Sequence, residues 1–280
     1  MKAQIGLMVE GQMGLNWDRW TRVLDMAERA GYQCVFRSDH FTNPAAPDLD
    51  SLELFTALTY AATRTKRIEF GSLVAPVTFR HPTMTVRQAT AIDDLSNGRL
   101  ILGLGAGWQR REHANYGIPF DDFPTRFDKL TDALEITQRL ISGAGPVTYK
   151  GKHIEVSDAV LLPRPKRKTP ILIGGNGKKR SLPLAAKYAD EWNGVFVDAP
   201  TYKALNQRLD ELLDKQGRDP KSVKRSLMGP FAWAEGSEGI ERLESYIEAG
   251  CQRFMLQFMD YDNLAPIESW AKDNLKRFAS

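Results

Sequence analysis

Cysteine is scarce: the two in 280 residues, Cys34 and Cys251, lie far apart in the sequence, so the chain has neither a disulfide framework nor a paired-thiol metal motif. Its four histidines, His40, His81, His113 and His153, never fall into H-x-H or H-x-x-x-H spacing, which removes the common zinc signature. No window approaches the ~20 apolar residues of a membrane span. The apolar start is broken by Glu10 and Gln12 before it reaches the length of a leader. An excess of one charge is lacking too, because 38 basic residues face 35 acidic ones, a net of +3. That is a mixed surface rather than a nucleic-acid footprint. These absences predict a soluble, cytoplasmic protein with both thiols in its core. They point to a small-molecule substrate, with no nucleic acid, membrane or metal as partner.

What is present is a repeated alternation of short apolar runs and amphipathic stretches. Strands are expected at Ala3 to Val9, Gln33 to Arg37, Ile68 to Val74 and Arg99 to Leu104. Helices are expected at Trp17 to Ala30, Leu52 to Thr63 and Pro82 to Leu95. Asn16 is placed to cap the first helix and Gly31 to end it, and Asp50 with Glu53 resembles a capping box for the second. A helix at Arg126 to Ile141 and a hairpin around Lys150-Gly151 then interrupt the rhythm. It resumes with strands at Ile171 to Ile173, Gly194 to Val197, Ser226 to Ala234 and Arg253 to Phe258. The helices between and after them fall at Lys178 to Tyr188, Thr201 to Lys215, Ile240 to Ala249 and Ile267 to Phe278. Eight strand–helix pairs in a chain of this length predict a single α/β domain over residues 1–280. It is a (β/α)8 TIM barrel with an insertion after strand 4, at about 109–165.

A barrel gathers the residues that follow its strands at one mouth, where active sites lie. Strand two delivers Ser38-Asp39-His40-Phe41, a carboxylate beside an imidazole and so a candidate for handling protons. Strand three delivers Ser72 and Leu73. Strand four delivers Gly103-Leu-Gly105-Ala106-Gly107-Trp108, with Glu112 just beyond. Alternating glycines remove side chains, so a ligand or another segment of chain can approach the backbone. The run is not a dinucleotide fingerprint, since Trp108 stands where the third glycine belongs. Strand five delivers Gly174-Gly175-Asn176-Gly177-Lys178-Lys179-Arg180, where free amides, flexible glycines and cations favour a phosphate. It is not a Walker loop, because Leu172 and Lys179 replace its first glycine and its hydroxyl residue.

The combined pattern resembles the bacterial-luciferase-like flavin and deazaflavin oxidoreductases. The resemblance rests on Ser38-Asp39-His40-Phe41, on Val74-Ala75-Pro76 through His81-Pro82, and on Asp94-Leu-Ser-Asn-Gly-Arg99 leading into the glycine run. The stretch from Pro163-Arg164-Pro165 to Pro170-Ile-Leu-Ile-Gly-Gly175 completes it. It implies a (β/α)8 fold with a middle insertion, and the Ser-Asp-His form tilts it toward the branch that uses coenzyme F420, with FMN as the alternative. It further implies that Asp39 and His40 touch the cofactor ring, with His40 near the carbon that carries hydride. A non-prolyl cis peptide at Ser72–Leu73 would form a bulge behind the ring. Gly105, Ala106 and Gly107 would pass beside the cofactor, while Gly174, Gly175, Asn176 and Gly177 hold its phosphate. Glu112 would be a remote acid or a partner of Arg110 or Arg111. Members acting on glucose 6-phosphate carry an acid where Trp108 stands, which implies a less polar pocket here. Dimers through the early helices are common in the family, which implies a homodimer.

The implied activity is hydride exchange between a deazaflavin and a small organic substrate. The rival within the family is a monooxygenase using reduced FMN and oxygen. Outside it, a metal-dependent barrel hydrolase and a noncatalytic ligand-binding barrel remain as alternatives.

Overall fold

The computed structural model describes residues 2–278. Strands and helices run β1 (Gln4–Val9), α1 (Trp17–Ala30), β2 (Cys34–Arg37), α2 (Leu54–Arg64), β3 (Glu69–Ser72), β4 (Ala75–Pro76), α3 (Pro82–Leu95) and β5 (Leu100–Gly105). An excursion follows, with α4 (Arg110–Asn115), α5 (Phe123–Ser142), β6 (Val147–Lys150) and β7 (Glu155–Ala159). The alternation returns with β8 (Ile171–Gly174), α6 (Ser181–Tyr188), β9 (Glu191–Val195), α7 (Ala199–Lys215), β10 (Lys224–Pro230), α8 (Ser237–Glu248), β11 (Arg253–Phe258) and α9 (Ala265–Phe278).

All pairings in the main sheet are parallel. They run from β3 through β2, β1, β11, β10, β9 and β8 to β5, and β5 pairs back onto β3. With β4 continuing the third stave, the sheet closes as an eight-stave (β/α)8 barrel, the expected fold. The hairpin β6–β7 stands outside it and is antiparallel. Buried Asp132 on α5 secures the hairpin tip, accepting from the Tyr149 hydroxyl and from the amides of Lys152, His153 and Ile154. Helix α5 itself packs between α3 and α6 in the outer ring.

Side-chain alternation along the staves separates two cores. Ile5, Leu7 and Val9 of β1 face the helices, whereas Met8 points inward with Phe36, Ile101, Leu172, Met228 and Met255. Below that layer, Arg253 pairs with Glu191 at 2.8 Å and with Glu69, closing the barrel bottom with charge. Cys34 is fully buried beside it, and burial pushes its thiol up to about 12, as it does for Cys251. Both thiols are therefore core residues, as expected.

Several boundaries differ from expectation for identifiable reasons. Asn16 caps α1 and Gly31 ends it in the left-handed region, as expected. At α2, however, Glu53 is itself the cap, accepting from the Thr56 amide at 2.7 Å, and Asp50 lies outside the helix. Helix α6 begins at Ser181 rather than Lys178, because Arg180 and Leu182 both bond back to the Gly177 carbonyl in a preceding turn. The stretch 231–234, expected as strand, coils into a single 3-10 turn after Pro230.

Candidate active site

The open end of the barrel holds a cleft of about 470 Å³, within the usual size of small-molecule sites. Its floor is apolar, made by Leu73, Val74, Val195 and Met228, and Pro76, Gly107, Gly174 and Gly175 form one wall. The opposite wall is polar: Glu10 and Gln12 follow β1, Ser38 and His40 follow β2, and Gln257 ends β11. The Glu10 carboxylate accepts from the Gln12 side-chain amide at 3.1 Å and from that of Gln257 at 2.6 Å, while Ser38 Oγ donates to Gln12 Oε1 at 3.0 Å. These polar groups hold one another in fixed orientations.

Strand alternation explains which member of the Asp39–His40 doublet reaches the cleft. Along β2, Cys34 and Phe36 point inward and Val35 points to the helices, so the same period continued past Arg37 turns Ser38 and His40 in and Asp39 out. Of the two expected site residues, only His40 lines the cleft. Asp39 is 2% exposed, lies outside the cleft lining, and binds Arg80 at 2.5 Å. Burial pushes its carboxyl up while the Arg80 guanidinium pulls it down. Arg80 reaches on to Glu53 at 2.7 Å, so Asp39 belongs to a structural charge network between β2 and α2.

The partner of His40 is Glu112. Their approach is Nδ1 to Oε1 at 3.0 Å, and the second carboxylate oxygen accepts from the Phe41 amide at 3.1 Å. Glu112 lies on α4 and is 1% exposed, whereas the expected alternatives are engaged elsewhere: Arg111 pairs with Asp48, and Arg110 lies over the Phe120 ring. Burial by itself lowers the His40 pKa, but the hydrogen bond and charge of Glu112, reinforced by Glu10 and Asp39, raise it above its ordinary value. With Nδ1 taken, Nε2 is the ring nitrogen left for a ligand. The Trp108 ring meets the imidazole edge to face, with centroids 5.4 Å apart.

The non-prolyl cis peptide joins Leu73 to Val74, one residue beyond the expected Ser72–Leu73. Ser72 and Leu73 are still tied into the sheet: Ser72 Oγ bridges the Gly103 carbonyl and amide at 2.8 and 2.9 Å, and the Leu73 amide donates to Arg37 at 2.8 Å. The chain leaves the ladder only after Leu73 and rejoins it where Ala75 meets Leu104. The resulting bulge supplies the cleft floor through Leu73 and Val74.

The expected cofactor-side residues divide. Gly107, Gly174 and Gly175 line the cleft, but Gly105, Ala106 and Gly177 do not. A Cβ on Gly105 would stand 2.3 Å from Val74 Cγ2, so the bulge occupies the space that this glycine leaves. Asn176 spends its side chain on Val195, donating to the carbonyl at 2.7 Å and accepting from the amide at 3.0 Å. The main-chain amides from Asn176 to Lys179 have no main-chain acceptor, and Lys178 and Lys179 have no acidic partner within 4 Å among the described residues.

Sequence reasoning missed Glu10, Gln12 and Gln257 as cleft residues. The signal lay in the polar residues that end apolar β1 and β11 with an inward register. It also missed Phe196, Met228 and Met259, which look like ordinary core residues in the sequence.

A parallel barrel whose mouth holds a carboxylate-braced imidazole over an apolar floor has the layout of a small-molecule site on a (β/α)8 fold. The chain belongs to the luciferase-like monooxygenase family, whose model matches residues 3–278. It is 28% identical over 82% of its length to the pyrimidine monooxygenase RutA of Acinetobacter baylyi. It is 33% identical over 67% of its length to the F420-dependent glucose-6-phosphate dehydrogenase of Amycolatopsis mediterranei. These alignments span 62% and 54% of the relatives' own lengths. Among solved structures, an F420-dependent secondary alcohol dehydrogenase in complex with an F420-acetone adduct superposes with a TM-score of 0.84 at 20% identity, covering 99% of this chain and 98% of the other. The long-chain alkane monooxygenase LadA superposes with a TM-score of 0.83 at 16% identity, over 100% of this chain and 92% of that one. No helix among the described residues is long and apolar enough to cross a membrane, and no group of His, Cys, Asp and Glu among them is arranged to hold a metal.

Proposed function

We propose that the protein exchanges hydride between the deazaflavin coenzyme F420 and a small alcohol or carbonyl compound. The observation that carries this reading is His40, an imidazole facing an apolar cleft and kept basic by buried Glu112. The cofactor, when bound, supplies a two-electron hydride acceptor or donor.

The residues present fit such a group. Leu73 and Val74 offer a flat apolar floor to a ring face, and Gly174 and Gly175 leave the adjoining wall without side chains. Beyond them the unpaired amides from Asn176 to Lys179, with two lysines, suit a phosphate. His40 would then perform the proton work. As the substrate hydroxyl becomes a carbonyl its proton passes to Nε2, and in the reverse direction Nε2 returns it. Glu112 holds the ring by Nδ1 and stabilises the imidazolium, in the manner of a carboxylate behind a catalytic histidine. Asp39 positions the preceding turn through Arg80 without touching the reacting atoms.

Fluorescence titration of the purified protein with F420 and with FMN tests the assignment. F420 is expected to bind at least tenfold more tightly, and His40→Ala to lower alcohol turnover by roughly 10³-fold, within the range for a lost acid–base group, while still binding F420. Tighter binding of FMN, with oxygen consumed when it is reduced, would overturn it in favour of the monooxygenase chemistry that several relatives are named for.

A further inference from the structure

The cleft also carries information about what it accepts, and this rests on the reading just given. None of the sixteen residues lining it is a lysine or arginine, and its one carboxylate, Glu10, faces the space with both oxygens already bonded to amides. An anionic substrate would meet that charge with no lysine or arginine in the lining to answer it. A sugar would leave most of its hydroxyls against Trp108, Phe196, Met228 and Met259 without partners, at a cost for each unsatisfied group.

The rim points the same way. Trp108, Phe196 and Met259 line the cleft yet are 61%, 48% and 44% exposed, so three large apolar side chains stand in water around one opening. Clustered exposure of this kind marks a surface awaiting an apolar partner. Phe196 stands out further because its φ is +49°, a conformation that a bulky residue rarely adopts. It is held there by its amide, which donates to Met228 at 3.0 Å, and by an edge-to-face contact with Trp233. Backbone strain of this sort is maintained where surrounding structure enforces it, commonly at binding sites. Here it turns an aromatic ring out of the core and onto the rim.

We propose that the substrate is a neutral alcohol or ketone with an apolar body of several carbons, seated against Trp108, Phe196, Met228 and Met259, its oxygen at His40 Nε2.

Calorimetric titration of F420-loaded enzyme with acetone, 2-butanone, 2-hexanone and 2-octanone tests this, with glucose 6-phosphate as the charged, polar probe. No hydride passes between a ketone and the oxidised cofactor, so binding is read apart from turnover. Affinity is expected to rise two- to fourfold per added methylene, the upper figure corresponding to ~0.8 kcal/mol per buried methylene. Glucose 6-phosphate is expected to bind more weakly than 2-hexanone. Phe196→Ala should weaken 2-octanone about tenfold and acetone less than twofold, with Phe196→Leu restoring most of the loss. An affinity flat in carbon number, or tighter binding of the sugar phosphate, would overturn the inference even if alcohols are oxidised. A steep dependence with no hydride exchange with F420 would overturn the cofactor reading and leave the apolar-substrate inference standing.

Discussion

The rims of β5 and β8 look alike in sequence, each an apolar strand running into glycines, yet the structure uses their glycines in opposite ways. On β5, Gly103 and Gly105 face the bulge of the neighbouring stave: a Cβ on Gly103 would lie 2.0 Å from the Ser72 carbonyl oxygen, and one on Gly105 would meet Val74. On β8, a Cβ on Gly174 would find nothing nearer than Val74 Cγ1 at 3.5 Å, an ordinary contact at the edge of the cleft. Gly103 and Gly105 make room for the protein's own chain, whereas Gly174 leaves an edge of the cleft open. Glycine in a strand signals close approach, but it does not say what approaches.

The largest effect expected from this difference is on folding. Gly103→Ala forces two backbones apart at a point where Ser72 is fixed by two hydrogen bonds to the same residue. Overpacking of this kind costs typically 1–3 kcal/mol and more where backbone must move. Urea unfolding should show a loss of about 3 kcal/mol or more, or no soluble protein at all. A stability within about 1 kcal/mol of the parent would mean that β5 yields easily and that the close packing is not what requires glycine there.

Gly174→Ala should separate the two rims. The fold has space for the methyl group, so stability is expected to stay within about 0.5 kcal/mol, as for a substitution that meets no strain. The cleft does not gain from it, and F420 affinity should fall about tenfold in the fluorescence titration. Unaltered cofactor affinity would place the ring elsewhere and remove Gly174 from the site.

The same distinction marks how far the sequence could be read. Periodicity exposed all eight staves, because a strand covered by helices must be apolar and a helix must show one apolar stripe. The mouth was legible where a residue type is rare after a strand, as with His40, and illegible where function depends on direction. Asp39 and His40 are adjacent, so a two-residue period necessarily sends them to opposite faces, and only His40 enters the cleft. The tie between His40 and Glu112 spans 72 residues and depends on where α4 lands, which no local pattern specifies. Glu10 and Gln12 were visible only as polar residues interrupting an apolar start. Their inward register, with Gln257 brought alongside by the β1–β11 pairing, is a property of the closed barrel.

If the β5 glycines serve packing, the chemical contribution of that stave lies further along, at Glu112, and its effect is smaller and specific to pH. Glu112 raises the His40 pKa against the lowering effect of burial. Extra stability from the protonated, paired form is therefore present in full below the ordinary histidine value, and it is lost as pH rises through the higher folded value. Ketone reduction needs that proton on Nε2, so activity should fall over the same rise. In Glu112→Gln the carboxylate charge is gone, desolvation acts with less opposition, and the descending limb of the ketone-reduction profile should move to lower pH. Urea unfolding across the same range should lose its pH-dependent component in step. A limb unchanged in position would mean that Glu112 serves mainly to hold the Phe41 amide, leaving the proton affinity of His40 to Glu10 and Asp39.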